Sequence, residues 1–346
     1  MRAGLVGYSQ TGKTTLFNAL TGQRAQTGGG SRAKSNLGVI KVPDDRLRRL
    51  TEIYRPRRTV PAEIVFVDVP GPRTKGSGLD AATLQSLREV EALAVVLRNF
   101  EGSSGSAPDC VRELGDFEAE LILNDLVVVE RRLERLVKER GSEREKAVLE
   151  RCRQALDGGQ SLRLVELSAD EEHEISSFAF LSRRPLLAVL NTSEADLGRG
   201  MPESLVHAAD ERRIQVMDVC ASLESEIAAL GDDERAEFLS SMGIDEPASA
   251  RFIRAAYALL DYLSFFTVGE DEVRAWTVRA GSKAPRAAGR VHSDMERGFI
   301  RAEVMAYEDF VGVGNEAKMR EMGKLRVEGK DYVVADGDIL NFRFAV

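Results

Sequence analysis

The chain has 346 residues and a mass of 38.0 kDa, enough for two or three domains with separate cores. Hydrophobic residues at 43% and charged residues at 30% match a soluble globular protein, and no stretch approaches the roughly 20 apolar residues that a membrane crossing needs. A formal charge of −8 argues against a chain that is basic overall and coats nucleic acid, although a local basic patch is still allowed. Cys110, Cys152 and Cys220 lie far apart, with no CxxC pair and no neighbouring His. That spacing disfavours a disulfide framework or a zinc site and points to a reducing cytoplasm. The opening MRAGLVGY reads as the start of a strand, not as a secretory signal.

Ala3, Leu5 and Val6 predict a short buried strand, and Thr15 to Leu20 a helix with Leu16, Phe17 and Leu20 on its apolar side. Between them stands Gly7-x4-Gly12-Lys13-Thr14, the phosphate-loop pattern in its required strand–loop–helix setting. Gly7 and Gly12 let the backbone curl, so that the N–H groups of the Ser9-Gln10-Thr11 stretch and of the helix start at Thr15 face a phosphate. Lys13 is placed to reach β- and γ-phosphates, and the Thr14 hydroxyl to bind Mg²⁺.

The next strand, Glu63–Asp68, ends in an acid, and Asp68-Val-Pro-Gly71 has DxxG spacing. Asp68 is the expected second contact to Mg²⁺, through water, and the Gly71 N–H the expected donor to a γ-phosphate. A third strand, Pro185–Leu190, leads into Asn191-Thr192-Ser193-Glu194. GTPases usually carry NKxD here, where the Asp accepts from two guanine N–H groups and the Lys packs on the ring. This chain lacks the Lys and has a longer acid, so the guanine fork is damaged. The strand Ile214–Val219 leads to Cys220-Ala221-Ser222, the expected second base-side loop.

Residues 111–184 break the strand–helix alternation. Leu114, Phe117, Leu121, Leu126, Val129, Leu133 and Leu136 recur at helical spacing, Gly141-Ser142 interrupts, and Val148, Cys152 and Leu156 resume the stripe before Gly158-Gly159. This predicts an antiparallel helical hairpin with Cys152 in its core. Beyond residue 262, strand-like runs at Glu272–Val278, Phe299–Met305, Asp331–Val334 and Ile339–Val346, with a helix near Asn315–Gly323, predict a small mixed sheet. His292, Asp294 and Glu296 in that region read as loop hydrogen bonding in preference to a metal site. Arg286, Arg290, Arg297 and Arg301 near Phe299 form a candidate RNA-facing patch.

GLVGYSQTGKTTLFNAL, VPDDRL (Val42–Leu47), FVDVPG, NTSE, VCASLESEIAAL and the C-terminal block occur in one order over nearly the whole chain. The chain thereby resembles the Obg-like ATPase (YchF) family of translation-factor-class P-loop proteins. The resemblance implies an α/β fold: a G-domain-like P-loop NTPase sheet formed by residues 1–110 and 185–261, a helical insert at 111–184, and an α+β β-grasp (TGS-like) domain at 262–346. It implies ATP preferred over GTP, with Asn191, Thr192, Glu194, Cys220, Ala221 and Ser222 around the base. It also implies a ribosome or RNA–protein partner met through the helical and C-terminal parts.

Two departures bear on turnover. The family's switch Thr aligns with Arg32, in Thr27-Gly-Gly-Gly-Ser31-Arg32-Ala-Lys34-Ser35, where Thr27 or Ser31 would have to substitute. The family's loop His is missing from Glu101–Asp109, and no Gln follows Gly71. His173 and His207 sit in polar helical stretches expected at the surface. Arg73 and Lys75 are the nearest cations after DxxG and the catalytic candidates. The expectation is an Mg²⁺-dependent purine-nucleotide switch with slow or partner-stimulated hydrolysis. The alternatives are a non-hydrolysing nucleotide-binding interaction module and a guanine-specific GTPase.

Overall fold

The computed structural model describes residues 2–25, 35–71, 78–101, 107–139 and 142–345, for Asp232 the backbone alone. Its strands are β1 (Arg2–Val6), β2 (Asn36–Lys41), β3 (Arg58–Val60), β4 (Glu63–Asp68), β5 (Ala92–Asn99), β6 (Leu186–Thr192), β7 (Gln215–Val219), β8 (Tyr262–Thr267), β9 (Glu272–Arg279), β10 (Phe299–Ala306), β11 (Arg326–Glu328) and β12 (Asp338–Phe344). Contacts divide the chain into two compact units. One comprises residues up to Ile40 with Val65–Phe252, the other Lys41–Ile64 with the residues from Ile253 on.

The first unit is the expected α/β layer. Its sheet runs β2-β4-β1-β5-β6-β7, and the β4–β1, β1–β5, β5–β6 and β6–β7 pairs are parallel. β6 is buried along its whole length, as its unbroken apolar run demands of a strand covered on both faces. Register sets Asp68 opposite Leu5, Asn99 opposite Thr192 and Asn191 opposite Val219. The functional loops therefore all leave from one carboxyl edge, where open α/β sheets bind their ligands.

The helical hairpin forms as its apolar stripe requires, from helices Cys110–Glu139 and Glu143–Asp157. Leu114, Phe117 and Leu121 pack into the core under the sheet, whereas Val129, Leu133 and Leu136 meet Val148, Cys152 and Leu156 in a second cluster. A buried polar cluster ties the root of the long helix to the chain that returns to β6. Glu118 accepts from Ser161 Oγ at 2.9 Å and from Arg163, and pairs with Arg212 at 2.9 Å. Asp125, about two turns further on, accepts from the Leu181 and Ser182 backbone N–H groups at 2.9 and 2.7 Å.

The second unit is an α+β layer with sheet order β11-β10-β12-β8-β9-β3. Ala284, Ala287 and Ala288 let the helix Ala284–Val291 lie close against Phe265, Val304 and Phe342. Two features differ from the sequence reading. Residues 41–64, expected within the nucleotide domain, belong to this unit. Arg58, Thr59 and Val60 pair with Glu272, Val273 and Arg274, and Arg46 bridges Asp44 at 2.9 Å and Asp336 at 2.6 Å. A three-residue strand whose partner is over 200 residues away leaves no periodic signal in its own segment. The expected strand Asp331–Val334 is irregular chain with one isolated bridge, Val333 to Lys283 at the start of the helix Ala284–Val291, and Asp338 draws Tyr332 Oη and the Ala335 N–H onto its carboxylate. β11 takes that place beside β10. His292 caps the helix Ser293–Arg297 by accepting from the Asp294 N–H, Asp294 pairs with Arg297, and Glu296 pairs with Arg286 at 3.7 Å, the loop bonding read from the sequence.

Replacing Glu118 by Ala strands the Arg163 guanidinium, which is 9% exposed, without its carboxylate. Glu118→Ala is expected to cost about 3–5 kcal/mol in urea unfolding.

Candidate nucleotide site

The phosphate loop leaves β1 at Gly7 and enters the helix Lys13–Thr21 at Gly12. Gly7 has φ +139° and Gly12 φ +85°, conformations that side chains avoid. Space agrees with conformation. A Cβ on Gly7 would lie 2.6 Å from the Val96 carbonyl oxygen, and one on Gly12 2.1 Å from Asn191 Nδ2. Gln10 also takes positive φ, at 67°, and with Ser9 it is exposed at the loop's crest. Thr11 is buried, its hydroxyl donating to the Tyr8 carbonyl at 3.1 Å.

Lys13 is buried, and its ammonium lies 3.5 Å from the Gly7 carbonyl oxygen. Burial pushes its pKa down, and the nearby Asp68 carboxylate acts in the opposite sense. The Thr14 hydroxyl donates to Asp68 Oδ2 at 3.2 Å, and Asn36 Nδ2 donates to the same oxygen at 3.2 Å. Asp68 Oδ1 is buried and has no hydrogen-bond partner among the described residues. A buried carboxylate oxygen facing a hydroxyl at the mouth of a phosphate loop is a hard-oxygen donor set, and it fits Mg²⁺. Elsewhere, no cluster of three or more His, Cys, Asp or Glu suited to a metal occurs among the described residues.

Gly71 closes the other side. A Cβ there would stand 1.9 Å from the Gly7 carbonyl oxygen and 3.2 Å from Lys13 Nζ, so the two loops touch through bare backbone. Thr83 Oγ1 donates to the Pro70 carbonyl at 3.2 Å and anchors the turn before Gly71.

Asn191 is 4% exposed, and both ends of its amide are engaged by backbone. Nδ2 donates to the Thr11 carbonyl at 2.9 Å, and Oδ1 accepts from the Ala221 N–H at 3.0 Å. Asn191 thus staples the phosphate loop to the Cys220–Ser222 loop. Thr192 is buried and accepts from Asn99 Nδ2 at 3.4 Å. Glu194 is exposed and accepts from Ser222 Oγ at 3.3 Å, while Cys220 is buried with its sulfur 3.2 Å from the same hydroxyl.

The fold thus gathers Gly7, Thr11, Lys13, Thr14, Asp68, Gly71, Asn191 and Ala221 into one constellation. Thr27, Ser31, Arg32, Lys34, Arg73 and Lys75 lie outside the described residues. His173 and His207 are exposed, as expected, and so is His292. Asn36 was not among the expected site residues. Its only sequence signal is a polar side chain directly before the alternating run of β2.

Gly71→Ala forces the Gly7 carbonyl aside, and it is expected to weaken purine-nucleotide affinity at least tenfold by calorimetry. Gly22→Ala also faces positive φ but meets nothing within 4 Å, so it should leave affinity within about twofold.

A family profile described as 50S ribosome-binding GTPase matches residues 2–131, and the YchF GTPase C-terminal profile, described as a protein of unknown function, matches residues 262–345. The chain is 41% identical over 361 residues to the "Ribosome-binding ATPase YchF" of Haemophilus influenzae, spanning 100% of this chain and 99% of that one. It is 38% identical over 365 residues to the protein of the same name from Bacillus subtilis, with 100% of both chains covered. Among solved structures it superposes on the Schizosaccharomyces pombe YchF GTPase with a TM-score of 0.88 at 29% identity, covering 99% and 97% of the two chains. A phosphate loop built at the carboxyl edge of a parallel sheet and relatives matched end to end lead to one conclusion: the chain belongs to the YchF family of P-loop NTPases.

Proposed function

We propose that this protein is an Mg²⁺-dependent nucleotide switch that binds ATP in preference to GTP and hydrolyses it slowly or when a partner stimulates it. The observation that carries the reading is the Thr14 hydroxyl on Asp68, with the second carboxylate oxygen buried and without a partner among the described residues. Bound Mg²⁺ would neutralise developing charge on the β- and γ-phosphate oxygens. Thr14 and Asp68 would hold it. Lys13 supplies a buried cation at the same phosphates, and the backbone N–H groups of the loop and of Gly71 orient them.

Base preference rests on residues 191–194. Asn191 spends its amide on the two loops, which supports a bracing role over direct contact with a base. Glu194, exposed and held on one side by Ser222, offers a carboxylate oxygen at the expected base edge. Without a Lys at 192, no side chain of the motif packs as the GTPase lysine does. The relatives' name, ribosome-binding ATPase, supports ATP as the nucleotide and the ribosome as the partner. The proposed encounter is in the cytoplasm, through the helical hairpin and a TGS-like C-terminal unit.

A non-hydrolysing binding module is the second reading. It is favoured by the missing His in Glu101–Asp109 and the missing Gln after Gly71. Arg73 and Lys75 are the cations proposed to compensate.

Calorimetry on nucleotide-stripped protein should give ATP binding about tenfold tighter than GTP, a gap near 1.4 kcal/mol. Asp68→Asn should remove most of the Mg²⁺ enhancement, and Lys13→Ala should abolish binding. GTP binding tighter than ATP would transfer the assignment to a guanine-specific switch. A single-turnover assay should show slow phosphate release that falls further in Arg73→Ala with Lys75→Ala. No release above the Lys13→Ala background would favour the non-hydrolysing module.

A further inference from the structure

In the C-terminal unit, β12 lies between β10 and β8. It meets β8 at the Ile339–Phe266 pair and then runs on to Phe344, past the last residue of β8, Thr267. On the other side it stays paired with β10 through Phe344. The Ala345 N–H donates to the Gly298 carbonyl at the β10 edge. Alternation along an antiparallel strand therefore turns the backbone N–H and C=O groups of Phe342 and Phe344 the opposite way, toward the space that β8 has vacated.

A slot of about 270 Å³ opens there, through the sheet. On the face covered by the helices Ala284–Val291 and Ser293–Arg297 its walls are apolar, with Trp276, Met295 and Phe342. Glu303, beside Met305, lines the opposite face, and Glu316 lines the same slot. Glu272 lines it as well, paired with Arg58 and with Arg274, whose guanidinium carbon lies 4.1 Å from the Trp276 ring centroid; no Lys or Arg is itself among the lining residues described. Glu303 is held by Arg343 Nη2 at 3.1 Å and Glu316 by Tyr54 Oη at 2.8 Å, so both carboxylates are fixed in place.

We propose that this slot binds an extended, basic segment of a partner protein by strand addition to β12. Successive side chains of a strand point to opposite faces, so a segment alternating apolar with Lys or Arg would set its apolar side chains beside Trp276 and Met295 and its cations toward Glu303 and Glu316. The backbone N–H and C=O groups that Phe342 and Phe344 turn toward the slot match the donors and acceptors of a peptide backbone.

Trp276 is the chain's only tryptophan, so its emission reports occupancy of the slot directly. Titrating the full chain with acetyl-Lys-Val-Lys-Val-Lys-Val-amide is expected to give a saturable emission change below 1 mM. The Glu303→Gln, Glu316→Gln double variant should bind at least tenfold more weakly, with an unchanged melting temperature and unchanged emission of the free protein. The same peptide N-methylated at alternate residues keeps its charge but loses the backbone donors, and it should not bind. Equal affinity for the N-methylated peptide would reduce the effect to attraction between a cationic peptide and an acidic protein, and the proposal would be overturned. Unchanged affinity in the double variant, or no saturation by 1 mM, would overturn it too.

Discussion

One buried side-chain amide sets the geometry on which the nucleotide site depends. Asn191 bonds the carbonyl of Thr11 with its nitrogen and the N–H of Ala221 with its oxygen. Three loops that leave different strands of the sheet are thereby held at a fixed spacing. The arrangement requires that nothing project from residue 12, because the amide nitrogen occupies the place of its Cβ. Gly12 is thus required by its φ and again by the approach of Asn191. The same logic operates on the other flank, where Gly71 lies against the Gly7 carbonyl. Two glycines and one amide bring backbone against backbone, and such a cradle loses little entropy when it closes on a charged ligand.

Within this cradle the charges are unevenly compensated. Lys13 is buried with a depressed pKa, and Asp68 is buried with one oxygen shared by Thr14 and Asn36 and the other without a partner among the described residues. A site with desolvated groups of both signs is costly when empty and gains when phosphate and cation arrive together. Asn36 sits at the start of β2 and so ties that strand to Asp68.

The helical hairpin is rooted by ionic and backbone bonds as well as by packing. Glu118 with Arg163 and Arg212, and Asp125 with the N–H groups of residues 181 and 182, tie the long helix to the chain leading into β6. The first turn of the same helix reaches β5, where Glu113 Oε2 accepts the Arg98 N–H at 3.1 Å. β5 and β6 both end at the nucleotide edge, so a displacement there has a continuous packed route to the hairpin.

The phosphate loop, DxxG and the strands feeding them were legible in the sequence because each is a local pattern. The Gly spacing, the Lys-Thr pair and the apolar runs all fall within about twenty residues. The helical hairpin was legible for the same reason, through its repeat of Leu, Val and Phe. Membership in the YchF family was likewise readable from short motifs in a fixed order. The sequence did not reveal that the Asn191 amide joins two loops, since its two partners lie 180 and 30 residues away. Nor did it reveal that residues 41–64 join the C-terminal sheet, or that Asp331–Val334 is irregular chain tied to the Asp338 carboxylate. Those outcomes depend on hydrogen bonds between distant segments, and periodicity and propensity report only what a segment does among its neighbours. The sequence by itself determined the chemistry available at the site. The tertiary structure decided which atoms of that chemistry remain free to meet a ligand.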